Sequence, residues 1–363
     1  MTTISNQIVL SICVPTFNRA HILERFFSLL ETAISNLEDK VEVLISNNAS
    51  TDNTRLICHA WGGGLSKNVN FRYYEQVTNI GVVRNILFLL EKSNGKYFVF
   101  IGDDDLFEND GIAKVIAILR SDKKPSAVIQ GYWQGRLAPL ATGFRSFVEA
   151  SALFYEYGNA YASIVDRQAA LDVLKKSQLR SEIEKIVWPQ TVIGFLAMYA
   201  LMDRPIYITD YPIGGPLGKS HNITTKSYWT SSLYGLVRAA YLVDREVGRN
   251  WVKKAFVRLR TRGFLNHIKA ILFYSLISDN SDTVGLRAEL RSHFGAQGSF
   301  WAFILFISDR YPKIIQGLAV TAYSVQHFRS PLHANQKLAD ARKKHAASIE
   351  ASKSSKQRYC DWF

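Results

Sequence analysis

Two hydrophobic periods alternate along the first third of the chain. Ile8, Val9, Leu10, Ile12, Cys13 and Val14 make a short, nearly continuous apolar run. Val41, Val43, Leu44 and Ile45 make a second, and Tyr97, Phe98, Val99, Phe100 and Ile101 a third. Short runs rich in β-branched and aromatic residues predict buried strands. Between them the period changes. Ile22, Leu23, Phe26, Phe27, Leu29, Leu30, Ala33 and Ile34 recur at helical spacing and predict a helix over residues 20–37. Further helices are expected up to Trp61, with Ser50 or Asp52 as cap, and over residues 82–93. Phe71, Arg72, Tyr73 and Tyr74 supply another strand, and Pro15 is expected to end the first one.

This alternation predicts an α/β fold, a mostly parallel sheet with helices on both faces. Ligands of such sheets bind at the carboxyl ends of the strands. Polar clusters fall at three of those ends, at residues 16–19, 47–52 and 103–105. The third is Asp103, Asp104 and Asp105, directly after an apolar strand and Gly102. Three adjacent carboxylates repel one another, and a hard divalent cation such as Mg²⁺ or Mn²⁺ would relieve that repulsion. In this reading Asp103 and Asp105 flank the ion and Asp104 turns aside. The competing reading is a solvated acidic turn that caps a helix starting at Gly111.

Later segments are less regular. Strands are expected at 127–131, 159–165 and 207–211, and helices at 147–157 and 168–177. Gly214, Gly215, Pro216, Leu217 and Gly218 read as a mobile loop. From Tyr228 the pattern is helical, with basic amphipathic spacing at 252–260 and apolar faces at 265–276, 301–307 and 314–325. Residues 336–358 read as a charged, frayed tail.

Composition adds a division of labour. The chain has 363 residues, 47% hydrophobic and 12% aromatic, which excludes global disorder and allows more than one core. Two domains are expected, residues 1–225 and a basic helical region over 226–363, the first with halves at 1–120 and 121–225. The net charge is +13, and residues 249–363 hold 19 Lys and Arg against 7 Asp and Glu. A basic region of this kind attracts phosphate-bearing partners. The three cysteines, Cys13, Cys58 and Cys360, have no paired spacing, so a disulfide framework or zinc site is not expected. No basic-then-apolar leader is evident, and no uncharged apolar run reaches the about 18 residues of a membrane span. The expected location is cytoplasmic.

Four motifs together resemble the N-terminal half of family-2 glycosyltransferases with the GT-A fold. They are Pro15, Thr16, Phe17, Asn18 and Arg19; Asn48, Ala49, Ser50, Thr51 and Asp52; Asn79, Ile80 and Gly81 with Arg84 and Asn85; and Gly102 with the three aspartates. The resemblance covers residues 8–120, and within the family is nearest to bacterial enzymes that add sugars, including dideoxy sugars such as abequose, to lipid-linked O-antigen units. It implies a nucleotide-sugar donor, a saccharide acceptor and a Mg²⁺ or Mn²⁺ ion on the DxD motif, held by Asp105 and Asp103, with Asp104 near the ribose or sugar. Pro15, Thr16, Asn18 and Arg19 would lie against the donor nucleoside and phosphates, and Arg84 would approach the base or pyrophosphate. Lys219 and His221 match a loop that folds over the diphosphate in relatives.

The chain departs from the family in two places. Relatives carry an aspartate at the end of the second strand, where this chain has Asn47 and Asn48. An amide both donates and accepts, so this pair suits cytosine, and a CDP-sugar is the expected donor. Relatives also place an acidic base at the start of a helix that here begins Trp188, Pro189, Gln190. Glu184, then Glu182, are the nearest candidates, with Asp203 and Asp210 behind them. The resemblance implies a lipid-linked acceptor, and the basic C-terminal helices imply peripheral contact with the inner face of a bacterial plasma membrane. Nucleic acid is not expected as a partner. The rival classes are a nucleotidyltransferase, disfavoured because Pro15 to Arg19 is not a glycine-rich phosphate loop, and an inactive domain binding anionic lipid or nucleic acid, disfavoured by three intact aspartates.

Overall fold

The computed structural model describes residues 7–65, 67–107, 110–130, 132–133, 136–137, 142–150, 163–186, 188–211, 214–216, 226–248, 268, 270–272, 283–311, 313–315, 318, 336–341 and 343. The chain divides into two compact units, Met1–Ser220 with Tyr359–Phe363, and His221–Arg358.

In the first unit the order is β1 (Leu10–Thr16), α1 (Ala20–Ile34), β2 (Val41–Asn47), α2 (Thr54–Gly62), β3 (Val69–Glu75), α3 (Val82–Lys92), β4 (Tyr97–Phe100), β5 (Asp105–Phe107), α4 (Gly111–Leu119) and β6 (Ala127–Gln130). There follow β7 (Tyr132–Trp133), β8 (Arg136–Leu137), β9 (Gly143–Arg145), β10 (Ile164–Asp166), α5 (Arg167–Leu174), α6 (Ser177–Ile183), α7 (Pro189–Ala200), β11 (Ile206–Thr209) and β12 (Gly214–Pro216). Eight strands form one sheet, in the order β3-β2-β1-β4-β10-β6-β11-β9. The strands β3, β2, β1 and β4 run parallel, as do β6 and β11. β10 is antiparallel to both β4 and β6, so β6 runs the same way as β4. All the parallel strands therefore end at one edge.

The sequence pattern accounts for the core. Leu23, Phe26, Phe27, Leu30, Ala33 and Ile34 of α1 are buried, the predicted stripe. Burying a Leu or Phe fully contributes about 1.5–3 kcal/mol each. Phe27 stacks on Trp61 at 4.4 Å, and Trp61 meets Phe71 edge-on at 5.4 Å, which joins α1, α2 and β3. Cys13 and Cys58 are completely buried. Burial pushes the Cys13 thiol well up and that of Cys58 up to about 12, so both are inert core residues.

Two expectations change. β1 does not stop at Pro15. It pairs through Pro15 to Thr16, opposite Ser46 and Asn47, because a parallel register carries the chain past a residue that donates no hydrogen bond. Nor is Gly214–Pro216 a loop: it is β12, paired antiparallel with β5 in a two-stranded ribbon. The expected helix at 147–157 is described only at residues 147–150, where it is helical. The basic stretch at 252–260 lies outside the described residues.

The second unit contains α8 (Lys226–Val247) and α9 (Val284–Arg310). Leu233, Val237, Ala240, Leu242 and Val243 are buried on α8. Arg238 pairs with Glu289 at 3.1 Å, and Tyr241 stacks on His293 at 3.7 Å, so the first half of α9 packs on α8. α9 breaks at Gly295, whose φ of 55° and ψ of −138° are not helical. Beyond the break the chain doubles back: Arg287 pairs with Asp309 at 3.5 Å, and a Cβ on Gly298 would fall 1.9 Å from the Leu290 carbonyl oxygen. Only glycine permits that approach. No helix among the described residues is long and apolar enough to cross a membrane.

Candidate active site

The carboxyl edge of the sheet gathers three clusters that are far apart in sequence. Thr16, the last residue of β1, donates its hydroxyl to Asp103 Oδ2 at 2.6 Å. Arg19 approaches Asp103 at 3.9 Å and Asp104 at 3.6 Å. The Asp105 carboxylate folds back to accept the Gly102 N–H at 3.1 Å. A Cβ on Gly102 would lie 2.9 Å from that carboxylate, so glycine is what leaves it room. Asp103 is 2% and Asp105 9% exposed, whereas the Asp104 side chain is 44% exposed.

Burial dominates the electrostatics. It pushes Asp103 up to about 7, reinforced by Asp104 and opposed by Arg19 and by the Thr16 hydrogen bond. Asp105 is also pushed up to about 7, first by burial and then by the charges of Asp104 and Asp103. Two buried carboxyls that resist ionisation are suited to a divalent cation, whose charge would offset both burial and repulsion. Among the described residues no three His, Cys, Asp or Glu side chains form a metal cage. Asp105 and Asp103 thus fit a Mg²⁺-like site with one or two protein carboxylates, the remaining ligands being water or phosphate oxygens.

The loops beside the carboxylates are stapled together. Asn18, at φ 52°, donates its N–H to Ser50 Oγ at 2.8 Å and accepts the Thr51 N–H on its side chain at 2.8 Å. Asp52 accepts the Ala20 N–H at 3.1 Å and the Thr54 N–H at 3.0 Å, so one carboxylate caps both α1 and α2. Burial pushes Asp52 up, but the hydrogen bonds from Thr54 and Ala20 together outweigh it and hold the carboxyl below its ordinary value.

Several expected donor contacts are framework instead. Pro15 is buried in the sheet and Thr16 positions Asp103. Asn47 is wholly buried, donating to Tyr73 OH at 2.9 Å and accepting the Ser50 N–H at 3.0 Å. Asn48, 4% exposed, donates to Asn79 at 2.7 Å and accepts the Ile80 N–H at 2.9 Å. These amides tie β2 to the turn before α3, so Asn47 does not read a base.

Arg84 and Glu184, expected in separate roles, form an ion pair at 3.3 Å. The other Glu184 oxygen faces Arg180 at 3.3 Å. A carboxylate held between two guanidinium groups ties α3 to the end of α6. Glu182, two residues earlier on α6, is half-buried. Asp203 precedes β11 at the opposite edge of the sheet, on a cavity of about 340 Å³ that Lys123, Phe144, Arg145 and Arg204 also line. Asp210 follows β11 at the carboxyl edge and is exposed. Lys219 and His221 lie outside the described residues.

The start of α7 holds two side chains that periodicity did not single out. Gln190 Oε1 and Thr191 Oγ1 are buried and have no hydrogen-bond partner among the described residues. Gln190 is 9% and Thr191 2% exposed. α7 leads down to β11, which begins at the far edge, so its first turn lies at the carboxyl edge. The signal in the sequence is Pro189 at the first helical position followed by two polar residues in an otherwise apolar run.

The sequence profile described as "Glycosyl transferase family 2" matches residues 11–147, the stretch that carries all of these clusters. Abequosyltransferase RfbV of Salmonella typhimurium strain LT2 is 34% identical over 110 residues, 29% of this chain and 31% of that enzyme. The chain thus matches about a third of that relative's length. A crystal structure of S. aureus TarS superposes with a TM-score of 0.52 at 13% identity, over 83% of this chain and 52% of TarS. TarS 1–349 in complex with UDP-GlcNAc gives 0.50 at 14% identity, over 89% of this chain and 93% of that one. At such identities the likeness shows the fold alone, a GT-A-like α/β architecture.

Proposed function

We infer that this protein transfers a sugar from a nucleotide-sugar donor to a saccharide acceptor with the help of Mg²⁺ or Mn²⁺. The observation that carries the reading is the convergence of Thr16, Arg19, Asp103, Asp104 and Asp105 at the carboxyl edge of a family-2 domain. Asp105 and Asp103 would hold the ion, which when bound neutralises charge on the departing nucleoside diphosphate. Arg19 adds a fixed positive charge beside the same group. Asp104, the exposed carboxylate of the three, is left to meet the ribose or sugar. Lys219 and His221, carried on the segment after β12, would close over the diphosphate.

The donor is a CDP-dideoxyhexose. The 34% identity with an abequosyltransferase now supports this, in place of the buried Asn47. The acceptor is a lipid-linked saccharide, reached by a protein bound peripherally at the inner face of a bacterial plasma membrane. Gln190 and Thr191 supply unpaired polar groups for the acceptor side. Glu184 is assigned to the Arg84 clamp, and no base is assigned.

A thermal-shift screen of CDP, UDP, GDP and dTDP, each with Mn²⁺ or EDTA, tests this. A ligand at 100 times its Kd adds about 2.7 kcal/mol. Stabilisation by CDP that needs Mn²⁺ and vanishes in Asp105→Ala is the expected result. A preference for UDP would overturn the donor and leave the transferase. No shift with any nucleotide would overturn the transferase.

A further inference from the structure

The second unit carries an aromatic face that its own packing covers only in part. On the returning half of α9, Ala302, Leu305 and Ser308 are fully buried and recur every third residue. The opposite side presents Phe300 and Phe303, 55% and 56% exposed, and Phe306, 38% exposed with the Arg287 guanidinium 5.4 Å from its ring centre. Tyr311, Ile314 and Leu318 add exposed apolar positions just beyond the helix end, at 47%, 52% and 63%. Scattered exposed apolar residues are ordinary, but three phenylalanines at helical spacing on one surface are a patch.

Among the described residues 284–313, the exposed charges have one sign. The acidic residues of α9 are spent internally: Glu289 on Arg238 and His293, and Asp309 on Arg287 and Thr283. The basic residues Arg291, Arg310 and Lys313 are exposed. Residues 249–363 as a whole hold 19 Lys and Arg against 7 Asp and Glu. Aromatic side chains bordered by cations match a bilayer interface, where rings enter the headgroup boundary and cations meet lipid phosphates.

We propose that Phe300, Phe303 and Phe306, flanked by Arg310 and Lys313, are the surface by which this protein docks on an anionic lipid bilayer. The assignment rests on the peripheral-membrane part of the proposed function and is independent of the donor. Gly295 supports it mechanically, since the fold-back there turns the second half of α9 against the first and leaves its phenylalanine side outward.

Flotation of the full chain with phosphatidylcholine vesicles, with and without phosphatidylglycerol, is the test. The wild type should float with the anionic vesicles only. Phe300→Ser with Phe303→Ser should lower binding by about tenfold or more, and Arg310→Glu with Lys313→Glu likewise. Nucleotide-dependent thermal stabilisation in the same variants should match the wild type, which shows that the chain is folded. Equal flotation of the phenylalanine variant would overturn the assignment and move membrane contact elsewhere on the chain. No flotation of a wild type that still responds to nucleotide would overturn both membrane readings and leave the transferase standing. A wild-type oligomer that the phenylalanine variant converts to monomer would overturn it in favour of an interface between copies.

Discussion

Thr16 Oγ1 donates to Asp103 Oδ2 across 2.6 Å, joining the ends of two strands 87 positions apart in the sequence. Both residues are buried. Thr16→Val keeps the shape and removes the donor. Leaving a buried carboxylate short of a partner costs about 1–3 kcal/mol. The variant should melt earlier at neutral pH, with a smaller loss at pH 5, where Asp103 is protonated. Thermal unfolding at the two pH values checks this, and an equal loss at both would contradict it.

The buried aspartates set a pH dependence whose sign follows from linkage. Asp103 and Asp105 hold their protons up to about 7 in the fold. In the unfolded chain an aspartate releases its proton near about 3.9. The folded state therefore binds more protons between these limits, and stability falls as pH rises through that window. Metal-free protein should melt higher at pH 5 than at pH 8. Asp105→Asn should flatten the slope, and Mn²⁺ should raise the melting temperature more at pH 8 than at pH 5. A melting curve indifferent to pH across this range would count against the site's electrostatics.

Glu184 separates a clamp from a base. As a clamp it makes partly exposed ion pairs, worth about 0–1 kcal/mol. Glu184→Gln should change stability little and slow transfer by no more than a few-fold. Removal of a general base typically costs about 10²–10⁴-fold in rate. A loss of that size in Glu184→Gln would restore it as the base.

Gln190 and Thr191 give the opposite pattern from an ordinary buried pair. Their unpartnered oxygens cost stability, so Gln190→Leu with Thr191→Val should leave the melting temperature unchanged or raise it. Acceptor KM should rise while donor affinity stays the same. A rise in donor KM alone would place them on the donor side.

The stability of the first unit also depends on a buried acid at the other end of the sheet. Glu42 is wholly buried and accepts from Ser11 at 2.7 Å, Arg72 at 2.9 Å and the Asn94 N–H at 2.8 Å. Glu42→Ala strands those donors and should cost about 3–5 kcal/mol, toward the lower end because Arg72 is partly exposed. Denaturant unfolding would measure it.

Local features were legible in the sequence. The strand and helix periods of residues 8–93 place β1, α1, β2, α2 and α3 within a few residues, because each is written in contiguous side chains. The aspartate cluster was visible for the same reason. Long-range pairing was not. Nothing near Thr16 announces Asp103, and nothing near Arg84 announces Glu184. Asn47 looked available for a base because its partners, Tyr73 and Ser50, are fixed by the register of β2 on β3 and by the loop after it. Gly214 to Pro216 had loop composition, and pairing with β5 made it a strand. The run from 301 to 307 was correctly helical. That it returns along 284–294 depended on one glycine's backbone angles, which composition does not encode.

Cys13 and Cys58 give the protein an internal clock. Cys13 Sγ lies 3.9 Å from the Leu89 carbonyl oxygen, between β1 and α3, and Cys58 is closed in under α2. A thiol reagent can reach Cys13 only when the central strand parts from its covering helix. With Cys360 replaced by serine, the rate of labelling would count those openings one molecule at a time. On the proposed function, nucleotide and metal would bind at the far end of the same strand and slow that count without touching either sulfur.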